Sequence, residues 1–168
     1  MDTYDAVRTM LAVRRYQDRP VPEDVVRKIV EAGHLSGSSM NLQPWRFIVV
    51  QDRETLRQLG GLAKSGPYIA QAALAIAVAM EKTHFAVSDA SRAIQSMMLC
   101  AWSEGVGSNW VGFSGLEQVN SLLGIPANLD VLAIVPFGYP ADTIGQGKKK
   151  RKPLAEVAFK ERFGTPFA

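Results

Sequence analysis

The segment Ser36–Trp45 has the residue types of a ligand-binding loop. Its sequence is SGSSMNLQPW, in which the amides of Asn41 and Gln43 each offer two N–H donors and one acceptor oxygen. The small residues at 37–39 let a ligand approach the backbone closely. A polar surface loop is the simpler interpretation, but a connection between two elements does not need this much hydrogen-bonding capacity. We therefore treat this loop as a candidate binding site.

Basic residues are concentrated at two distant places, Arg14-Arg15 and Lys148–Lys152 (KKKRK). Guanidinium groups suit planar oxyanions such as phosphate, although a pair of arginines after a helix is also typical of a solvated helix end. The net charge of +3 depends largely on the lysine run, without which the chain is mildly acidic. This concentration indicates a local anion site. A nucleic-acid surface would carry interleaved aromatic residues, which are missing here, so a basic nucleic-acid-binding module is the weakest interpretation.

The sequence contains none of the common catalytic or metal-binding motifs. It has no Walker loop, no GxGxxG after a strand, no zinc pattern and no GxSxG elbow. Its two histidines, His34 and His84, have no partners at metal-ligand or catalytic-triad spacing. We therefore expect no catalytic side chain and no metal. The dispersed polar loops and basic residues instead suit a cofactor that has a phosphate at one end, a polar ring at the other, and carries the reaction itself.

Hydrophobic periodicity and helix-boundary residues predict alternating helices and strands. Predicted helices run from Asp2 or Thr3 to about Val13, from Pro22 to Gly33, from Asp52 to Leu62, over Asp89–Glu104 with Ser88 as its cap, and from a Ser114–Glu117 capping box to Leu123, with Gly124 as its stop. Predicted strands cover Arg46–Gln51, Ala72–Met80 and Val131–Pro136. By composition Ala72–Met80 could also be a helix, but its length and the breaks on both sides favour a buried strand. A second small-polar loop, Ser108–Gly112, follows the longest helix. The tail after Ala141 has too few apolar residues for a core of its own, so we expect about 141–168 to be an arm that packs on a partner subunit.

Bulk properties predict one globular domain over residues 1–168. Hydrophobic residues make up 47% of the chain and charged residues 21%, which is ordinary for a folded protein. The longest uncharged stretch, Gly66–Met80, is too short and too interrupted to span a bilayer, and the acidic N-terminus does not resemble a signal peptide. The lone Cys100 suits a reducing compartment. These features predict a cytoplasmic protein without a membrane segment.

The order of motifs resembles the nitroreductase family of FMN-dependent oxidoreductases. The motifs are RRY, SGSSMNLQPWRFIVV, GVGSNWVGF, FGYPA and RKPL, and they cover nearly the whole chain. The N-x-Q-P-W-x-F segment followed by an apolar strand is the most specific of them. The resemblance implies an α+β fold with a central, mostly antiparallel sheet flanked by helices. It also implies an obligate homodimer with two FMN sites at the subunit interface.

The resemblance also implies which residues contact the cofactor. Arg14, Arg15 and the backbone of Tyr16 match the positions expected at the FMN phosphate and ribityl region. Ser38, Asn41 and, more weakly, Gln43 match loop positions contributed across the interface. Val111 and Gly112 match a backbone segment beside the isoalloxazine, and Lys149 and Arg151 match C-terminal phosphate anchors.

Three residues depart from the family pattern. Tyr16 stands where Ser is usual, Gly37 where Pro is usual, and Asp18 where a basic residue often contacts the pyrimidine side of the ring. A carboxylate at that position would repel the reduced, anionic flavin unless Arg19 substitutes for the basic residue.

The family resemblance predicts a reaction in which NADH or NADPH passes a hydride to the flavin and leaves, and an acceptor then takes its place. Nitroaromatics, quinones and activated enones are the expected small-molecule acceptors. A different flavin reaction within the family, such as dehalogenation or chemistry on free flavin or on an oxidised peptide ring, remains open because of Asp18 and the short chain.

Overall fold

The computed structural model describes residues 1–112, 116–143 and 149–167 of the chain. Its α-helices are α1 (Thr3–Thr9), α2 (Glu23–His34), α3 (Arg53–Leu62), α4 (Ala86–Ser103) and α5 (Glu117–Leu123). Its strands are β1 (Trp45–Val50), β2 (Leu74–Glu81), β3 (Gly107–Ser108), β4 (Val111–Gly112) and β5 (Leu129–Gly138). Short 3-10 turns lie at Ser39–Asn41, Pro67–Gln71 and Leu154–Glu156.

One antiparallel sheet forms the centre of the molecule. Its strand order is β1-β2-β5-β3, with β4 also paired to β5. In the long central pair, Leu74 lies opposite Phe137 and Glu81 lies opposite Leu129, so β2 and β5 run past each other along their full length. The apolar run at 72–80 is therefore a strand, as the sequence predicts.

Strand β2 separates two apolar layers through its alternation. Leu74, Ile76, Val78 and Met80 pack with buried residues of α2 and α4. Ala75, Ala77 and Ala79 pack on the opposite face with residues of α3 and α5. Because successive strand residues point to opposite faces, one buried strand contributes to both layers. The predicted α+β class, with helices flanking a central antiparallel sheet, is confirmed.

Two helix boundaries differ from the prediction. Helix α1 ends at Thr9, not near Val13, because the backbone N–H of Val13 donates to the carbonyl of Ser108 and residues 12–13 join the sheet edge. Helix α4 begins at Ala86, and the predicted cap Ser88 lies inside it, with its hydroxyl donating to the carbonyl of Phe85.

Other boundary signals act as predicted. Asp52 caps α3 by accepting a hydrogen bond from the backbone N–H of Thr55, and Gly124 ends α5 in a left-handed conformation. Ser114, the predicted cap of α5, lies outside the described residues.

The described part of the tail is largely exposed. Residues 158–167 fold back on themselves through a bridge between Phe159 and Pro166, and Phe163 is 92% exposed. Among the described residues, no helix has the length and apolar character needed to cross a bilayer. Packing of this arm on a second subunit remains a prediction.

Candidate active site

The segment 12–17 is fixed against the end of strand β5. The N–H of Gln17 donates to the carbonyl of Tyr139 at 2.8 Å, and the N–H of Ala141 donates to the carbonyl of Arg15 at 3.0 Å. The side-chain amide of Gln17 also donates to the carbonyl of Pro140. These bonds hold both predicted arginines on a rigid element, where a binding group is positioned more sharply than on a free loop.

Arg14 and Arg15 line a surface groove of about 230 Å³, together with residues 11–13, Pro140 and Asp142. The guanidinium of Arg15 pairs with the Asp142 carboxylate at 3.1 Å, and both side chains are more than half exposed. Pocket volumes for small molecules are roughly 300–1,000 Å³, so this groove alone is too small for a whole mononucleotide cofactor. It can receive one anionic end of such a molecule.

Lys149 contacts helix α1, which precedes the groove residues in the chain. Its ammonium group donates to the carbonyl of Val7 on α1, which leads to the groove through Leu11. Burial and, secondly, the positive charge of Arg151 lower the pKa of Lys149. The described contact of Arg151 is local, a hydrogen bond to the carbonyl of Lys150. Among the described residues, Lys149 thus contacts α1, and no contact ties Lys149 or Arg151 to the groove.

The side chain of Tyr16 points away from the groove. The residue is buried, with 7% of its surface exposed, and its hydroxyl donates to the carbonyl of Val13 at 2.7 Å. Burial raises the pKa of this phenol, so it stays neutral. A tyrosine at this position leaves only its backbone for a ligand.

The loop around Asn41 has an unusual backbone. Met40, Asn41 and Gln43 all have positive φ, at 52°, 55° and 49°. Left-handed backbone costs about 1–2 kcal/mol for most residues, so specific contacts must hold the loop. One of these is the bond from the N–H of Gln43 to the hydroxyl oxygen of Ser38, at 2.9 Å.

Asn41 and Gln43 also contact each other. The side-chain amide of Gln43 donates to the Asn41 side-chain oxygen at 3.2 Å. Both side chains are exposed, as are the neighbouring Met40 and Leu42. The predicted polar group is therefore preorganised and open to a ligand from outside the chain.

Val111 and Gly112 form the short strand β4, which pairs with β5 on the side away from β2. They pair with Ile134 and Ala133 of β5, and the Val111 side chain is buried. A Cβ on Gly112 would clash with the carbonyl oxygen of Leu132 and lie 3.1 Å from Ala133 Cα. This glycine permits a close approach of two backbones, so a ligand can meet this segment only through main-chain atoms.

A single chain does not bring all the predicted residues together. The Asn41 loop adjoins one end of β2, where the N–H of Glu81 donates to the carbonyl of Pro44. The arginine segment adjoins the other end, where the N–H of Ala73 donates to the carbonyl of Phe137. Eight residues of strand separate these ends, which is about 25 Å. Within one chain, the arginine segment and the Asn41 loop are therefore two separate groups.

Sequence reasoning missed one side chain at the loop. Asp89 on α4 is fully buried and accepts hydrogen bonds from the backbone N–H and the hydroxyl of Ser39, at 3.0 and 3.1 Å. An aspartate near the N-terminus of a helix is usually a surface residue whose charge interacts favourably with the helix dipole. No local signal in the sequence could therefore have identified Asp89 as a partner of the loop. No cluster of three metal-ligating side chains occurs among residues 1–112, 116–143 and 149–167.

Comparison with known proteins defines the class. The model of the nitroreductase family matches residues 8–83 and 67–139. The chain is 35% identical to a Methanothermobacter thermautotrophicus protein assigned as an NADH dehydrogenase/NAD(P)H nitroreductase, over 86% of this chain and 81% of that protein. This chain belongs to the nitroreductase family.

Two further proteins extend the comparison. The FMN reductase [NAD(P)H] of Bacillus subtilis is 26% identical, over 90% of this chain and 70% of that protein. The solved structure of an FMN-dependent nitroreductase from Clostridium difficile R20291 superposes with a TM-score of 0.87, at 25% identity, over 95% of this chain and 99% of that one.

Proposed function

We propose that this chain is an FMN-dependent NAD(P)H oxidoreductase that works as a homodimer. It passes a hydride from NADH or NADPH through FMN to a small acceptor such as a nitroaromatic, a quinone or an activated enone. The relatives named as an FMN reductase and an FMN-dependent nitroreductase support the cofactor. The relative assigned as an NAD(P)H nitroreductase supports the reductant. A cytoplasmic location remains a sequence-based expectation.

The separation of the arginine segment from the Asn41 loop is the observation that supports a site shared between two subunits. The two arginines and the Asn41 loop lie at opposite ends of β2, which is too far apart for both to bind one cofactor molecule within a single chain. In a two-fold dimer the same surface of both chains forms the interface, and the two copies run in opposite directions. The arginine segment of one chain can therefore lie beside the Asn41 loop of the other. Two complete sites then form, each with residues from both chains.

The residues present fit the cofactor. FMN, when bound, supplies the hydride transfer chemistry. Arg14 and Arg15 offer guanidinium groups for the phosphate, and Lys149, whose ammonium group contacts α1, is the further candidate for it. Arg15 would exchange its exposed Asp142 partner for the phosphate of a bound FMN, because a divalent anion attracts the guanidinium more strongly.

The other residues orient the ring system. The backbone of Val111 and Gly112 presents main-chain atoms from strand β4, where Gly112 lets the two backbones of β4 and β5 lie close together. Ser38, Asn41 and Gln43 of the partner subunit supply hydrogen bonds to its polar edge. No side chain of this chain is assigned as a general acid or base.

Nicotinamide and acceptor use the same place in turn. The protein's contribution is then to hold each partner against the ring and to exclude water while it is bound. This order of events predicts that the reductant leaves before the acceptor enters, which gives parallel lines in double-reciprocal plots at several fixed reductant concentrations.

A complementation experiment tests the shared site. We expect Arg14→Ala and Asn41→Ala each to lose most NAD(P)H-dependent reduction of a quinone. When the two are mixed under conditions that exchange subunits, half of the dimers are mixed, and each mixed dimer has one site without either substitution. Activity should then recover to about a quarter of the unsubstituted level.

The complementation experiment has a matched control in a surface arginine away from both groups. Arg27→Ala, at an exposed arginine on α2, should keep full activity, and subunit exchange with Arg14→Ala should leave the mixture at the average of its two parents, about half of the unsubstituted level, with no gain. If the two variants give no recovery although mixed dimers form, both residues serve sites within one chain and the proposed arrangement is wrong.

A further inference from the structure

The carboxylate of Asp89 is a buried group to which the proposed reaction assigns no part. It lies in α4 with no exposed surface. Its Oδ1 atom accepts three hydrogen bonds, from the N–H of Ser39 at 3.0 Å, the hydroxyl of Ser39 at 3.1 Å and the Arg92 guanidinium at 2.9 Å. Its Oδ2 atom is enclosed and has no hydrogen-bond partner among the described residues.

This arrangement is a poor way to gain stability alone. Burying a carboxylate is costly, and the cost is recovered only when both oxygens are well paired. Here one oxygen takes all the donors and the other takes none that the structure describes. Arg92 is about half exposed, so its attraction for Asp89 is partly screened by solvent. The clear structural effect of these hydrogen bonds is that Asp89 fixes the position of Ser39.

Ser39 is the residue from which the strained loop starts. The left-handed residues Met40, Asn41 and Gln43 follow directly. Asp89 fixes the start of this turn through two donors of one residue, and Ser38 fixes its end through the N–H of Gln43. Without the first anchor, the backbone can relax to ordinary φ values, and the side chains of Asn41 and Gln43 would then point elsewhere.

We propose that Asp89 is a positioning residue for the flavin site. It holds Ser39 so that the loop presents Ser38, Asn41 and Gln43 in one fixed geometry to the cofactor bound mainly by the other subunit. This inference rests on the proposed function for its ligand, and on the hydrogen bonds of the unliganded chain for its mechanism. Asp89 itself does not touch the cofactor.

The test combines FMN titration of the apoprotein with amide hydrogen exchange of the loop. Asp89→Ala removes the anchor, and Asp89→Asn keeps one acceptor oxygen for Ser39. Ser39→Ala keeps the backbone N–H but removes the hydroxyl, which donates to Asp89 and accepts a hydrogen bond from Arg92 at 3.3 Å. Loss of hydrogen bonds to a charged group predicts an FMN Kd raised about tenfold or more in Asp89→Ala, with smaller increases in the other two variants. Exchange at the Ser39 and Gln43 amides of the apoprotein should accelerate in the same order.

Glu104→Gln is the matched control. It also neutralises a carboxylate at α4, but that carboxylate pairs with exposed Lys28 at the far end of the helix. We expect no change in Kd or in loop exchange. If Asp89→Ala proves too unstable to purify, the comparison of Ser39→Ala with Glu104→Gln decides the question.

The possible results separate the two proposals. If unsubstituted protein does not bind FMN, the proposed function fails, and loop exchange in the apoprotein still shows whether Asp89 fixes the loop. If FMN binds and Asp89→Ala or Ser39→Ala leaves both Kd and loop exchange unchanged, the positioning role is wrong. If Kd rises while exchange stays constant, Asp89 acts by another route and the role proposed here is again wrong.

Discussion

The ring of Tyr16 packs directly on Gly138, at the point where strand β5 ends. A Cβ on Gly138 would lie 2.9 Å from Cδ1 of Tyr16 and 3.3 Å from the backbone nitrogen of Ala73. The glycine therefore provides the space that lets the tyrosine enter the core. Because Tyr16 follows Arg14 and Arg15 in the chain, this contact also fixes the segment that carries the proposed phosphate-binding groups.

Replacing Gly138 with Ala should push Tyr16 out of its place. We expect a loss of about 1–3 kcal/mol in the free energy of unfolding, as in other overpacked cores, and weaker FMN binding. Urea denaturation and FMN titration measure the two effects. Gly61→Ala is the control, because no atom lies within 4 Å of its added Cβ and the residue is in helix α3, where alanine should stabilise by about 0.5–1 kcal/mol. Equal stability of Gly138→Ala and the unsubstituted protein would contradict the packing argument.

The Tyr16 hydroxyl should matter for stability and not for the cofactor. Tyr16→Phe removes the bond to the Val13 carbonyl and should cost about 1 kcal/mol of unfolding free energy, with an unchanged FMN Kd. A Kd raised severalfold would mean that the hydroxyl contacts the cofactor after all.

Tyr16 also predicts a pH effect. Burial raises its pKa above the ordinary value of 10.0. Below that pH it is protonated in both states and contributes no pH dependence. Above it the unfolded chain releases a proton that the folded chain keeps, so the free energy of unfolding falls as the pH rises. Denaturation at pH 8 to 11 should show a steeper fall in the unsubstituted protein than in Tyr16→Phe, and equal slopes would contradict the assignment.

Asp142 should compete with the cofactor phosphate for Arg15. The pair is exposed, so its removal changes the energy only modestly. We expect Asp142→Asn to lower the FMN Kd about two- to fivefold at low salt, with the difference vanishing at high salt. Asp130→Asn, which loses an exposed pairing with Lys82 elsewhere on the surface, should leave Kd unchanged. Weaker binding in Asp142→Asn would show that the carboxylate supports the site.

Local signals in the sequence were sufficient for much of the fold. The length and flanking breaks of residues 72–80 favoured strand β2 over a helix, the Asp52 cap predicted the start of α3, and Gly124 predicted the end of α5. The early end of α1 could not be predicted, because it depends on Val13 bonding to Ser108, a residue 95 positions away. The motif resemblance supplied the site residues, but it carried no information on their distance within one chain.

Two features of the site could be seen only in the three-dimensional structure. The left-handed backbone of Met40 contradicts its local preference and exists because distant groups hold it. Asp89, which lies 50 residues from Ser39 in the chain, has no motif that marks it as a partner of the loop. Both depend on tertiary contacts, which single-sequence patterns do not record.

The most direct test of flavin-mediated reduction is the visible absorbance spectrum of the FMN-loaded protein before and after anaerobic addition of NADH or NADPH. We expect flavin bands that bleach with at least one of the two nucleotides and return when a quinone or nitroaromatic is added. The nucleotide that bleaches them faster is the preferred reductant. Flavin bands that persist with both nucleotides, or a protein that does not take up FMN at all, would contradict the account.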